Sequence, residues 1–294
     1  MNKLGIDLGG TKIEGVILDD ENRERFRQRL PTEQEHGYKH ILNNIKKLYE
    51  LMLDQIEQEA HTFGIGTPGA ISPRTGLMKN SNTLCLNDQP LKQDLEALLG
   101  RKIIIQNDAN CFALAEAISG AAMGRDLVFG VIMGTGCGGG IVRGGDVITG
   151  MQAITGEWGH MSIDPNGPQC WCGSRGCVES LISGGGLERL YEQQYGVHLS
   201  ATDIVNNYRK SKSPDLAFVN TFFRNFGRAM ANLINILDPD MVVLGGGLSN
   251  INELYAEGVK EVARFIFSDS LETPIVKNKL GDSAGVIGAA LIGC

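Results

Sequence analysis

The chain has 294 residues, 42% hydrophobic and 21% charged, which is enough for two folded domains and excludes a disordered protein. Its net charge of −7 offers no field to draw nucleic acid or an anionic membrane, so neither is expected as a partner. Any nucleotide site must be built locally, from backbone amides, a metal ion and helix ends.

In chain order, residues 4–8 and 14–18 read as strands joined by the turn Gly9-Gly10-Thr11-Lys12. Residues 38–58 carry helical periodicity, with Ile41, Ile45, Leu48, Leu51 and Met52 assigned to one face. Strand 63–67 ends at Pro68-Gly69, and helix 91–99, strand 102–106 and helix 109–120 follow. The pattern then restarts with strands 127–133 and 140–143 around Gly134-Thr135-Gly136. Residues 150–184 read as irregular. Helix 216–237 carries a stripe of Phe218, Phe222, Phe226, Met230, Leu233 and Leu237, then strand 241–244, helix 251–267 and a small-residue helix 284–292 complete the chain. Strands alternating with helices define an α/β protein. Strand, glycine turn with Thr, and strand recur near the start of each half, which points to an internal duplication.

The start, Met1 to Asp7, enters a strand directly and does not resemble a signal peptide. No run of 18 apolar residues occurs, and the longest candidate, residues 128–142, is broken by six glycines. The expectation is a cytoplasmic enzyme. Cys85, Cys111, Cys137 and Cys294 are scattered and read as core residues or incidental thiols.

Three glycine loops each follow a strand, which suits either phosphate binding by convergent N–H groups or three tight hairpins. No P-loop pattern is present. Gly134, Gly136 and Gly139 satisfy G-x-G-x-x-G, but a strand resumes where a dinucleotide fingerprint would open a helix. Asp7, beside the first turn, suits Mg²⁺ coordination or capping of that turn. Asp108 lies at a strand-to-helix junction, where it suits either general-base catalysis or helix capping. Cys170, Cys172 and Cys177 form C-x-C-x₄-C, and His160 lies ten residues upstream of the first. A Cys₃His zinc site fits this spacing, against the alternative of three reduced thiols and a surface histidine.

These motifs together resemble the ROK family (repressors, open reading frames and sugar kinases), from Leu4 to Ala290. Gly5-Ile6-Asp7-Leu8-Gly9-Gly10-Thr11-Lys12 resembles its first phosphate motif. Met133-Gly134-Thr135-Gly136-Cys137-Gly138-Gly139-Gly140 resembles its second, and Val242–Gly247, including Gly245, Gly246 and Gly247, its adenosine motif. The resemblance implies an actin-like ATPase (ribonuclease H-like) fold of two domains with ATP in the cleft, ATP with Mg²⁺ and one Zn²⁺ per chain as cofactors, and a homodimer. The small domain would comprise residues 1–120 plus 283–294, and the larger one 121–282.

It further implies Asp108 as the general base of Asn107-Asp108-Ala109-Asn110. Zinc ligands would be His160, Cys170, Cys172 and Cys177, with C-x-C-G-x-x-G-C-x-E completed by Glu179. Sugar contacts would come from Gly69, Asn82, Asn107, Asp108, Glu157, His160 and Glu179. The run Pro68 to Gly76, then Lys79-Asn80-Ser81-Asn82 and Leu86-Asn87, together with Gly156-Glu157-Trp158-Gly159-His160, is most similar to bacterial manno(fructo)kinases. Phosphorylation of fructose at the 6-hydroxyl, with mannose secondary, is therefore expected. N-acetylglucosamine kinase and glucokinase of the same family are the alternatives, because nearly every motif is shared. A ROK repressor is disfavoured, because the first phosphate motif begins at Gly5 and leaves no room ahead of it for a helix-turn-helix. A sugar sensor without turnover is disfavoured by Asp108.

Overall fold

A computed structural model describes residues 1–57, 59–210 and 215–293. Gln58, at the expected end of the first helix, and Cys294 lie outside the described residues. In chain order the strands are β1 (Asn2–Leu8), β2 (Lys12–Leu18), β3 (Glu24–Pro31), β4 (His61–Thr67), β5 (Ala70–Ile71), β6 (Met78–Lys79), β7 (Ile104–Asn107), β8 (Leu127–Met133), β9 (Cys137–Arg143), β10 (Asp146–Val147), β11 (Met241–Gly245) and β12 (Ile275–Lys277). The α-helices are α1 (Tyr38–Asp54), α2 (Leu91–Leu99), α3 (Asp108–Ile118), α4 (Val178–Ile182), α5 (Gly184–Tyr195), α6 (Ala201–Arg209), α7 (Asp215–Leu237), α8 (Glu257–Phe265) and α9 (Ala284–Ile292).

Two five-stranded sheets carry the α/β fold, in the orders β3-β2-β1-β4-β7 and β10-β9-β8-β11-β12. In the first, β1 pairs antiparallel with β2 and parallel with β4, and β4 pairs parallel with β7. In the second, β8, β11 and β12 run parallel. Each sheet thus has three consecutive strands on one side and two crossover strands on the other, as expected of a duplicated unit. Chain contacts define two compact units: residues 1–120, 140–155 and 282–294 in the first, and 121–139 with 156–281 in the second. Residues 140–155, which chain order alone groups with 121–282, fall with the first unit.

The core of the first unit packs α1 and α2 on its sheet. Ile41, Ile45, Leu48 and Met52 are buried as the periodicity requires. Leu51 is instead 38% exposed, and Tyr49 takes the buried place, because Leu51 lies about 100° around the helix from Met52. On the other side of the sheet α9 packs against β1, β4 and α3. This contact is close enough to demand glycine: a Cβ on Gly5 would stand 2.2 Å from the Ala290 nitrogen, and one on Gly64 2.2 Å from the Ala289 oxygen.

In the second unit, α7 buries Phe218, Phe222, Phe226, Met230 and Leu233, while Leu237 at its end is only partly covered. The expected helix 251–267 is divided: a 3₁₀ turn at Asn252–Tyr255 precedes α8, with Ala256 (φ −117°, ψ −75°) between them. Residues 150–184 are irregular except for a 3₁₀ turn at Trp158–His160 and the five-residue α4. No helix among the described residues is long and apolar enough to cross a membrane.

Candidate active site

Asp7 sits near the end of β1, in register with Glu14 on β2 and Gly66 on β4. Glycines leave space for its carboxyl: a Cβ on Gly285 would lie 2.9 Å from Oδ2, and one on Gly66 would lie 3.4 Å from Oδ1. Burial pushes the Asp7 pKa up to about 7, and the negative charges of Asp108 and Glu14 push the same way against Lys12. Two carboxylates close enough to repel, at the ends of two parallel-linked strands, make a place that gains from a cation. After Asp7 the chain turns tightly, with the Gly9 N–H donating to the Lys12 carbonyl at 2.9 Å and the Thr32 hydroxyl donating to the Gly9 carbonyl at 2.6 Å.

The capping question at Asp108 is answered by its neighbour. Asn107 is the N-cap of α3, in extended conformation (φ −63°, ψ 147°), and its side-chain oxygen accepts the Ala109 N–H at 2.9 Å. Asp108 Oδ1 lies 2.8 Å from the same N–H. Both side chains thus accept this one N–H, and Asn107 by itself keeps it paired. The first turn of α3 packs on Gly140, where a Cβ would meet the Ala109 carbonyl at 2.7 Å and Asn110 Oδ1 at 2.9 Å. Gly69 takes φ 127° beneath the Lys79 carbonyl, a conformation reserved for glycine, and Asn82 is exposed. Sequence reasoning missed Thr83: it is buried, its Oγ1 has no hydrogen-bond partner, and a Cβ on Gly10 would lie 3.6 Å from it.

In the second unit the turn after β8 is closed by the Gly134 N–H donating to the Gly136 carbonyl at 3.0 Å. The first residues of α5 hold it from below, with the Gly184 N–H on the Gly134 carbonyl (2.7 Å) and the Gly185 N–H on the Thr135 carbonyl (3.2 Å). The Trp158 indole N–H donates to the Gly138 carbonyl at 2.9 Å, and a Cβ on Gly159 would stand 2.2 Å from the Cys137 carbonyl. Gly246 (φ 76°) presses on the Met133 backbone, while a Cβ on Gly247 would meet nothing. Gly245 closes β11.

His160, Cys170, Cys172 and Cys177 come together, with one ligand atom from each lying within 4.8 Å of the others. Cys172 and Cys177 sulfurs are 3.6 Å apart, and Cys170 Sγ is 3.8 Å from His160 Nδ1. A disulfide would need about 2.05 Å. The edge of a tetrahedron with metal–sulfur bonds of about 2.3 Å is about 3.8 Å, so the four donors fit Zn²⁺. The Ser174 backbone N–H, the largest influence on Cys172, draws its thiol down to about 7, which favours the ligating thiolate. His160 turns Nδ1 to the sulfurs, and its Nε2 has no hydrogen-bond partner among the described residues. Glu157 precedes the 3₁₀ turn bearing His160, and Glu179 lies in the first turn of α4.

Two α/β sheets of matching topology, each with a glycine turn after its leading strand, are the frame of an actin-like fold, and the relatives of the chain make it an ATP-dependent sugar kinase. The chain belongs to the ROK family, whose pattern matches residues 3–293. It is 37% identical over 299 residues to an N-acetyl-D-glucosamine kinase of Haemophilus influenzae, covering 98% of each chain. It is 38% identical over 298 residues to one of Vibrio atlanticus, again covering 98% of each. Among solved structures, a ROK hexokinase from Thermus thermophilus superposes with a TM-score of 0.90 at 33% identity, covering 100% of this chain and 98% of that one. A ROK glucokinase from Streptomyces griseus, in complex with glucose and AMPPNP, gives 0.81 at 26% identity, covering 100% and 99%. The actin-like fold follows from this likeness. Fructose as the substrate does not, since the curated relatives named here are N-acetyl-D-glucosamine kinases.

Proposed function

We propose that this chain transfers the γ-phosphoryl group of ATP to the 6-hydroxyl of a hexose, with Asp108 as general base. The observation that carries the reading is that the Asp108 carboxylate, at the β7-to-α3 junction, stands close enough to Asp7 to raise its pKa, while Asn107 caps α3. Asp108 accepts the hydroxyl proton as the sugar oxygen bonds to the γ-phosphorus. The bond from that phosphorus to the β–γ bridging oxygen breaks, and ADP leaves. Asp7 would hold Mg²⁺, which supplies charge neutralisation at the phosphates. The turns at Gly9–Lys12, Gly134–Gly136 and Gly245–Gly247 would offer N–H groups to the nucleotide. His160, Cys170, Cys172 and Cys177 would hold one Zn²⁺, which fixes the His160 ring so that Nε2 presents one hydrogen-bonding group to a sugar hydroxyl. Gly69, Asn82, Asn107, Glu157 and Glu179 complete the sugar set.

N-acetyl-D-glucosamine is the substrate that the relatives support. Fructose, with mannose, is the second reading, favoured by the run 68–87 and by Glu157-Trp158-Gly159-His160. A coupled ADP-release assay comparing kcat/KM for N-acetylglucosamine, fructose, mannose and glucose decides between them. Turnover of none of the four would remove the kinase reading itself.

A further inference from the structure

Glu179 follows the last cysteine of the metal cluster by two residues, yet it reaches outside that loop at both of its oxygens. Oε1 accepts the indole N–H of Trp171 at 2.6 Å, and Oε2 accepts the backbone N–H of Cys137 at 3.0 Å. Trp171 lies between Cys170 and Cys172, with its ring edge-on to that of His160 at 4.9 Å and 89°. Cys137 follows Gly136, where a Cβ would stand 2.5 Å from the same Oε2. One carboxylate therefore ties the metal-binding loop to the second glycine turn. The other side of that turn is held by Gly184 and Gly185, just beyond the far end of α4. The turn is thus gripped from both ends of one short helix.

Trp171 is 71% exposed, so beyond its edge-on contact with His160 little packing holds its indole in place. Its position is set by the two cysteines that flank it, and through them by whatever fixes their sulfurs. A glycine turn that must present N–H groups to phosphate gains from being held before the ligand arrives. A carboxylate has about four acceptor sites, so these two bonds leave room for a sugar hydroxyl as well.

We propose that Glu179 is a positioning residue through which occupancy of the Cys₃His cluster sets nucleotide affinity at the Gly134–Gly136 turn, with Trp171 as the link. This rests on the zinc and ATP readings above. When the metal is absent, Cys170 and Cys172 release the indole, Glu179 loses the partner that orients it, and the Cys137 N–H loses its anchor. Zinc in this protein would then govern binding of the nucleotide as well as orientation of the sugar.

The test is ADP binding by titration calorimetry without sugar. It uses zinc-loaded and chelator-treated forms of the wild type and of Trp171→Phe, which keeps the ring and removes the N–H. Zinc-loaded Trp171→Phe is expected to keep its metal content and melting temperature and to bind ADP roughly 10-fold more weakly. Removing zinc should weaken ADP binding by a similar factor in the wild type and by much less in the variant, where the link is already cut. Glu179→Gln, which has a single acceptor oxygen in place of two, should behave like Trp171→Phe. Wild-type ADP affinity in zinc-loaded Trp171→Phe would overturn the proposal, and so would an equal loss on zinc removal in both proteins. Should the metal-free protein unfold, the zinc-loaded comparison still decides. The kinase reading is judged apart from this, by wild-type turnover in the coupled assay.

Discussion

Asp7 and Gly285 face each other across the contact between β1 and α9, with Oδ2 of the acid 2.9 Å from where a Cβ on the glycine would stand. The neighbour in the way is the head of a short, enclosed side chain with little freedom to retreat. Gly285→Ala should therefore displace the carboxylate and destabilise the protein by about 1–3 kcal/mol. Mg²⁺-dependent nucleotide binding should weaken with it. Thermal melting and Mg²⁺ titration of ADP binding would check the pair of effects, and unchanged Mg²⁺ dependence would take Asp7 out of the metal's reach.

The raised pKa of Asp7, about 7, has two consequences of opposite kind. Its folded-state value lies above the usual 3.8, so the folded state holds the extra proton. This contribution to stability is full below about pH 4 and is lost as pH rises through 7. At pH 8 the charged acid is a burden, and Asp7→Asn should be more stable than the wild type there, by about 1–4 kcal/mol. Metal binding runs the other way: Mg²⁺ affinity should fall as pH drops below 7, and binding at pH 7 should release protons. Calorimetry in buffers of different ionisation enthalpy reads that release directly.

Asp108→Asn removes a base and leaves the cap on Asn107 intact. Turnover should drop by roughly 10²–10⁴-fold while ADP affinity and melting temperature stay close to wild type. Turnover at the wild-type rate would assign the proton to another group.

Asn107→Ala would do the reverse to the helix. Loss of the bond to the Ala109 N–H should cost about 0.5–2 kcal/mol, read as a lower denaturant midpoint. Partial compensation by Asp108 Oδ1, 2.8 Å from the same N–H, would place the loss at the low end and reduce kcat.

The metal cluster predicts about one zinc per chain by elemental analysis. Cys177→Ser should lose it, because Cys177 is fully buried and is one of the four ligands that the cluster brings together among the described residues. Protein purified with care and holding no zinc would sink the Cys₃His assignment.

What the sequence disclosed, and what it hid, follows distance along the chain. Cys170, Cys172 and Cys177 announce themselves because their spacing is local, and Asn107-Asp108 because a strand turns into a helix there. The strand β3 was not anticipated: it is charged and mostly exposed along its length, and only pairing with β2 makes it a strand. The helices α5 and α6 are capped by Ser183 and Ser200, yet each is short and buries few large apolar residues, Leu187 and Tyr191 in α5 and Ile204 and Val205 in α6. The strand β12 is three residues long and is defined by its partner β11. The bond between Glu179 and Cys137 spans 42 residues and leaves no local mark at all. Nor does the unpartnered hydroxyl of Thr83, which needs the positions of every neighbour before it can be seen.

The fit of α9 against Gly5 and Gly64 sets an order of events during synthesis. The strand that carries Asp7 is made well before α9, the helix that packs on it. A nascent chain stopped before residue 284 would hold the three glycine turns and both carboxylates, yet Gly5 and Gly64, with Val16 and Leu18 of β2, would lack the helix that covers them. Such a chain exposes apolar surface that a chaperone can hold. The first unit is closed only when α9 arrives, and five of its nine residues, Ala284, Gly285, Gly288, Ala289 and Ala290, are small enough to let it lie against the sheet.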